Sequence, residues 1–127
     1  MRLTMHATSV PAFVRVFTNM LNWLDKAQAH AEARKFDTAN YLGLRLAPDM
    51  LPLTRQIQIA TDGAKGCVAR LAGQEILLPT RAGEPLRYTG ENYLKQFVLP
   101  NLYFHATTTY ALLRNASVEI GKRDFLG

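Results

Sequence analysis

Between Ser9 and Ala31 apolar residues return every third or fourth position, as Val10, Phe13, Val14, Phe17, Met20, Leu21, Leu24, Ala27 and Ala31. That spacing predicts a long amphipathic helix, because residues three and four apart share one helical face. Arg15, Asn19, Asn22 and Lys26 fall off the stripe. The Ser9 hydroxyl is suited to cap the first free amides, and Pro11 is tolerated in a first turn where no internal donor is needed. A helix with such a face must pack on others.

Asp37 is placed to cap a short helical turn through Tyr41, after which Gly43 to Pro48 leads to a second long helix with Asp49 as its expected cap. There Leu53, Ile57, Ala60, Ala64, Cys67 and Leu71 keep the alternating spacing of a bundle seam, and Gly73 is placed to end it. Gly63 and Gly66 weaken this helix locally but permit close approach. Ile76 to Pro79 and Pro85 to Tyr88 flank the polar stretch Thr80 to Glu84, which suggests a small hairpin turning near Gly83. The last long helix is expected from Thr89 or Gly90 to about Asn115, bent where Pro100 removes an amide. Ser117 to Gly127 reads as an ordered tail, since Val118, Ile120, Phe125 and Leu126 are poorly suited to water.

Composition adds little to this all-α picture but excludes several classes. A chain of 127 residues, 48% apolar and 20% charged, reads as a single globular domain over residues 1–127 rather than a disordered one. Its apolar runs are too short to span a membrane and no leader pattern opens it, so a cytoplasmic location without membrane association is expected. One cysteine, Cys67, rules out a disulfide framework within the chain and fits a reducing compartment. The net charge of +5 comes from fifteen basic residues scattered among ten acids, a solvated surface and not a track for nucleic acid.

Candidate chemistry lies on the last helix, where Leu94, Phe97, Val98, Asn101, His105, Thr108 and Leu112 share one face. Asn101 and His105 thus point inward among hydrocarbon neighbours, at a desolvation cost unless bonded, liganded or open to a cavity. Two readings follow: a structural pair satisfied by each other, by a tyrosine or by buried water, or a ligand pocket in the bundle core. His30 falls opposite the stripe of the first helix and reads as solvated, His6 precedes that helix, and Cys67 lies in a seam where a thiol is an inert small hydrophobe. Tyr93, Phe97, Tyr103, Phe104 and Tyr110 have the helical spacing of core residues. No phosphate-cradling glycine loop, nucleophile elbow or His-Glu-x-x-His is present.

Several separate stretches are recognisable: Ser9-Val10-Pro11, Leu46-Ala47-Pro48-Asp49-Met50, Pro52-Leu53-Thr54-Arg55-Gln56, Asn101-Leu102-Tyr103-Phe104-His105 and Gly121-Lys122-Arg123-Asp124-Phe125-Leu126-Gly127. Together they resemble the bacterial domain-of-unknown-function family DUF1993, across nearly the whole chain. The resemblance implies a DinB-like up-down four-helix bundle, frequently a homodimer, in a family without an established activity. The wider DinB-like superfamily includes divalent-metal sites and thiol-dependent transferases, built on one histidine of the second helix and a His-x-x-x-His pair on the last, followed by a Leu-Arg. Here His105 precedes Leu113-Arg114 at the matching distance, so the earlier histidine of the pair matches Asn101, and the remaining ligand position falls on Gln56. Two of the three ligands have therefore become amides, which bind zinc or nickel poorly.

The family also carries a helix before the hairpin, whereas Leu71-Ala72-Gly73-Gln74 here runs almost directly into Glu75-Ile76. A helix is either lost or missing from the chain between Gln74 and Glu75, and an uncovered bundle side would favour dimerisation. Three functions remain in play. The first is small-molecule binding in a core pocket lined by Gln56, Asn101 and His105. The second is a metal- and thiol-dependent transferase or isomerase with a divalent metal at His105. The third is a non-catalytic dimeric structural or interaction protein whose polar pair fixes register.

Overall fold

The structure is a computed structural model and describes residues 4–70 and 76–127. Helix α1 runs over Met5–Arg34 and begins a turn before the expected start. Thr4, not Ser9, is its cap: the threonine Oγ accepts from the Ala7 amide at 3.0 Å. Ser9 is buried within the helix and donates to the Met5 carbonyl at 2.7 Å, so Pro11 stands inside the helix rather than in its first turn. Lys35 closes α1 with a left-handed backbone, φ 60°.

The buried stripe of α1 is Phe13, Val16, Met20, Trp23, Ala27 and Ala31. Val14 and Leu21, expected in the core, are 60% and 64% exposed, because α1 carries two neighbouring apolar stripes and the one bearing Trp23 faces the bundle. Helix α2, Ala39–Leu42, follows, with the Ala39 amide donating to Asp37 Oδ1 at 2.9 Å. Helix α3 covers Leu53–Arg70. Asp49 does not cap it: the Leu53 amide donates to the Leu44 carbonyl at 2.8 Å, and those of Arg55 and Gln56 donate to the Pro52 carbonyl at 2.9 and 3.1 Å. The positions proposed for the helix end at Gly73 and for a break at Gln74 and Glu75 lie outside the described residues.

Strands β1, Ile76–Thr80, and β2, Gly83–Tyr88, form the expected hairpin, pairing Ile76 with Tyr88 and Leu78 with Leu86, with an irregularity before Gly83. Gly83 adopts φ +137°, which only glycine takes readily. Ile76 and Leu78 point into the core and Leu77 points out, the alternation of a half-buried strand. The last long helix is in three parts: α4 over Gly90–Tyr93, a π-helical turn over Leu94–Val98, and α5 over Leu99–Asn115. Pro100 explains the wide turn. Its ring would strike a carbonyl one regular turn back, and the π turn, in which the Leu99 amide reaches the Leu94 carbonyl, clears that clash without breaking the helix.

Helix α5 packs on α3 along one side and on α1 along the other, which puts it at the centre of the molecule. Its buried residues, Leu102, His105, Ala106, Thr108, Thr109, Leu112 and Leu113, face those two helices. In the tail Val118 and Ile120 are buried as expected, Phe125 is half-buried, Leu126 is 54% exposed against expectation, and α6, Lys122–Leu126, lies against α1. Among the described residues no helix is long and apolar enough to cross a membrane. The aromatic group divides. Tyr93 is in the core, but Tyr103 and Phe104 are 42% and 56% exposed, against the expectation from spacing.

Candidate functional site

Gln56 on α3 and His105 on α5 meet in the seam between the two helices, 2% and 9% exposed. Gln56 Nε2 donates to the Leu51 carbonyl at 3.1 Å. The amide oxygen Oε1 is thereby turned toward His105 and lies 2.6 Å from Nδ1. A carbonyl only accepts, so the imidazole must donate, and the relay assigns the proton of the neutral ring to Nδ1. The lone pair is then on Nε2.

No group among the described residues bonds to Nε2, and no buried side-chain nitrogen or oxygen among them lacks a partner. Nε2 therefore touches solvent, and the exposed Phe104 meets the imidazole edge-on with ring centroids 5.0 Å apart. Burial pushes the imidazole below its ordinary pKa of 6.5, so at neutral pH the ring is uncharged and Nε2 is an acceptor. A fixed tautomer, a neutral ring and an open lone pair are the properties of a proton acceptor or of a hydrogen-bond anchor for a ligand.

Asn101, one turn earlier on α5, does not join this pair. It is half-buried and lines an open groove of about 340 Å³ between α3, the hairpin and the π turn, together with Ile59, Asp62, Gly63, Arg70 and Phe97. Its amide rests on Gly63, where a Cβ would stand 3.1 Å from Nδ2. Of the three residues named from the sequence, two are thus bonded to each other and the third faces a neighbouring groove.

The donor set falls short of a metal centre. Among the described residues no group of three His, Cys, Asp or Glu stands where it could hold an ion, and the amides beside His105 are weak ligands for zinc or nickel. Cys67 is fully buried, and burial raises its thiol pKa against the opposing charge of Arg70, which leaves it a packed thiol and not a nucleophile. His6 is exposed on α1. His30 is half-buried rather than solvated: the Tyr41 hydroxyl donates to the Ala27 carbonyl at 2.9 Å and accepts from His30 Nδ1 at 2.8 Å. Periodicity placed His30 off the stripe but could not foresee that α2 folds Tyr41 back over it.

Comparison with known proteins agrees with this architecture. A family model described as a domain of unknown function (DUF1993) matches residues 5–82 and again 74–126. The chain belongs to this family. The two matches overlap over residues 74–82 and together take in nearly the whole chain. A solved structure described as a DinB family member protein from Shewanella denitrificans is 32% identical, with a TM-score of 0.84 over 96% of this chain and 91% of that one. No curated protein matches. The DinB-like fold is therefore established.

Sequence reasoning missed Arg70 as a groove residue and Tyr93 as its partner. Arg70 Nη1 donates to Tyr93 Oη at 3.2 Å and its guanidinium lies over Gly66. The available signal was the pair Gly63 and Gly66 with an arginine one turn beyond, two glycines in a helix that neither ends nor bends there.

Proposed function

We propose that this DUF1993 protein binds a small molecule at the α3–α5 seam, with His105 Nε2 accepting a hydrogen bond from the ligand. The supporting observation is the relay from the Leu51 carbonyl through Gln56 to His105 Nδ1, which orients the ring and leaves its second nitrogen without a partner among the described residues. A purely structural pair needs no such free acceptor at the surface. Gln56 is a positioning residue, and Asn101, which faces the neighbouring groove, has no part in this contact.

The test uses a library of small fragments bearing N–H or O–H donors, screened by ligand-observed NMR. Replacing His105 by phenylalanine and Gln56 by leucine together removes both partners while keeping their volume, so the core keeps its packing and no buried group is orphaned. Fragments that bind the natural protein are expected to lose binding to the folded double variant by about ten-fold or more. If the folded double variant binds the same fragments equally well, the reading fails, and the pair serves only to set the register of α3 on α5.

A further inference from the structure

The groove beside Asn101 has features that core packing does not require. Two glycines on α3, three residues apart, each seat a polar head group belonging to the same groove. Gly63 makes room for the Asn101 amide, and a Cβ at Gly66 would collide with the Arg70 guanidinium. Each glycine costs a mid-helix position roughly 0.5–1 kcal/mol relative to alanine. The Tyr93 hydroxyl accepts from Arg70 Nη1, and Tyr93 itself is 1% exposed, so the exposed Arg70 side chain is tied at its head to a fixed partner.

The two head groups lie over sites about 4.5 Å apart along the helix axis. Both are donors: a guanidinium with its fork of N–H groups and an amide NH₂. Ile59, Leu78, Pro79, Leu86 and Phe97 supply the apolar walls, and Phe97 comes from the π turn, a feature that recurs at functional sites. Arg70 brings one positive charge to the groove, and Asp62 in the same lining opposes a second negative charge on a ligand, so a dianion is disfavoured and a carboxylate, whose two oxygens match the guanidinium fork, is the fitting partner.

We propose that this groove binds a small monocarboxylic acid, its carboxylate held by Arg70 and Asn101 and its hydrocarbon body against the hairpin and Phe97. The proposal goes beyond the reading of the seam and does not depend on it, because Asn101 faces this groove and not His105.

Hexanoate and benzoate are the probes, with hexanamide and inorganic phosphate as controls, followed by shifts of backbone amides in labelled full-length protein. The acids are expected to shift groove residues and hexanamide to bind at least about ten-fold more weakly, since it lacks the charge that pairs with arginine. Arg70→Gln should weaken hexanoate by about ten-fold. Gly66→Ala should also weaken it, by displacing the guanidinium, while the helix itself becomes more stable, a combination that a damaged fold cannot produce. Hexanoate binding that persists when Gln56 and His105 are both replaced supports this site as one separate from the seam. Equal binding of acid and amide, preference for phosphate, unchanged affinity in Gly66→Ala, or no shifts at about 20 mM acid would each overturn the proposal.

Discussion

Alanine at Trp23 is expected to destabilise the protein by about 4 kcal/mol and to lower its Tm by more than about 10 °C. Trp23 is fully buried and is where three helices meet. Its ring stacks on Phe125 of α6 at 5.4 Å and meets Tyr110 of α5 edge-on at 5.7 Å, while Nε1 donates to the Asp124 carbonyl at 3.0 Å. Removing the indole leaves a cavity and orphans that carbonyl. Around it, Lys26 binds Asp124 Oδ1 at 2.7 Å, and Arg15 and Asn19 of α1 cap the last carbonyls of α6. These exposed contacts are individually weak, so α6 depends on the tryptophan. Chemical denaturation followed by circular dichroism checks this. A loss below about 1 kcal/mol would show that α6 does not anchor through Trp23.

The second large effect concerns the buried pair. Gln56→Leu should cost about 2 kcal/mol, because His105 Nδ1–H is then left without an acceptor in the interior. The Leu51 carbonyl also loses its donor, but Leu51 is 44% exposed and water replaces it. His105→Phe should cost a similar amount by stranding Gln56 Oε1. Making both changes should cost much less than their sum, with a coupling of more than about 1 kcal/mol between them. Additive losses in a double-mutant cycle would mean that the hydrogen bond contributes nothing of its own.

The sequence pattern revealed inwardness better than partnership. His105 could be placed in the seam because its helix has one clear apolar face, and resemblance to DUF1993 brought Gln56 into consideration although it sits at the margin of its own stripe. The relay through the Leu51 carbonyl was not legible, since it depends on how the chain enters α3 after Pro52. The stripe of α1 was misread for a related reason. Val14 and Leu21 obey the same three-four spacing as Val16 and Trp23, and only the volume available beneath α5 and α6 decides which set is buried. Asn101 lay on the expected face, yet its direction was set by the π turn ahead of it and by the space over Gly63, neither of which periodicity reports.

Protonation shows which nitrogen of His105 carries the proton and whether the ring is neutral. Burial holds His105 in the folded protein below 6.5, whereas the unfolded chain takes up its proton near that value. The stability contributed by the neutral ring is therefore fully present above pH 6.5 and is lost as the pH falls toward the folded-state value. Two-bond 1H–15N correlation of histidine-labelled protein reads tautomer and titration together, with His105 assigned by its absence in His105→Phe. The expected spectrum has Nδ1 protonated and Nε2 bare at pH 7.5, and remains so as the pH passes below 6.5. A proton on Nε2 with Nδ1 bare, or titration at or above 6.5, would contradict the relay and with it the binding site built on its free nitrogen.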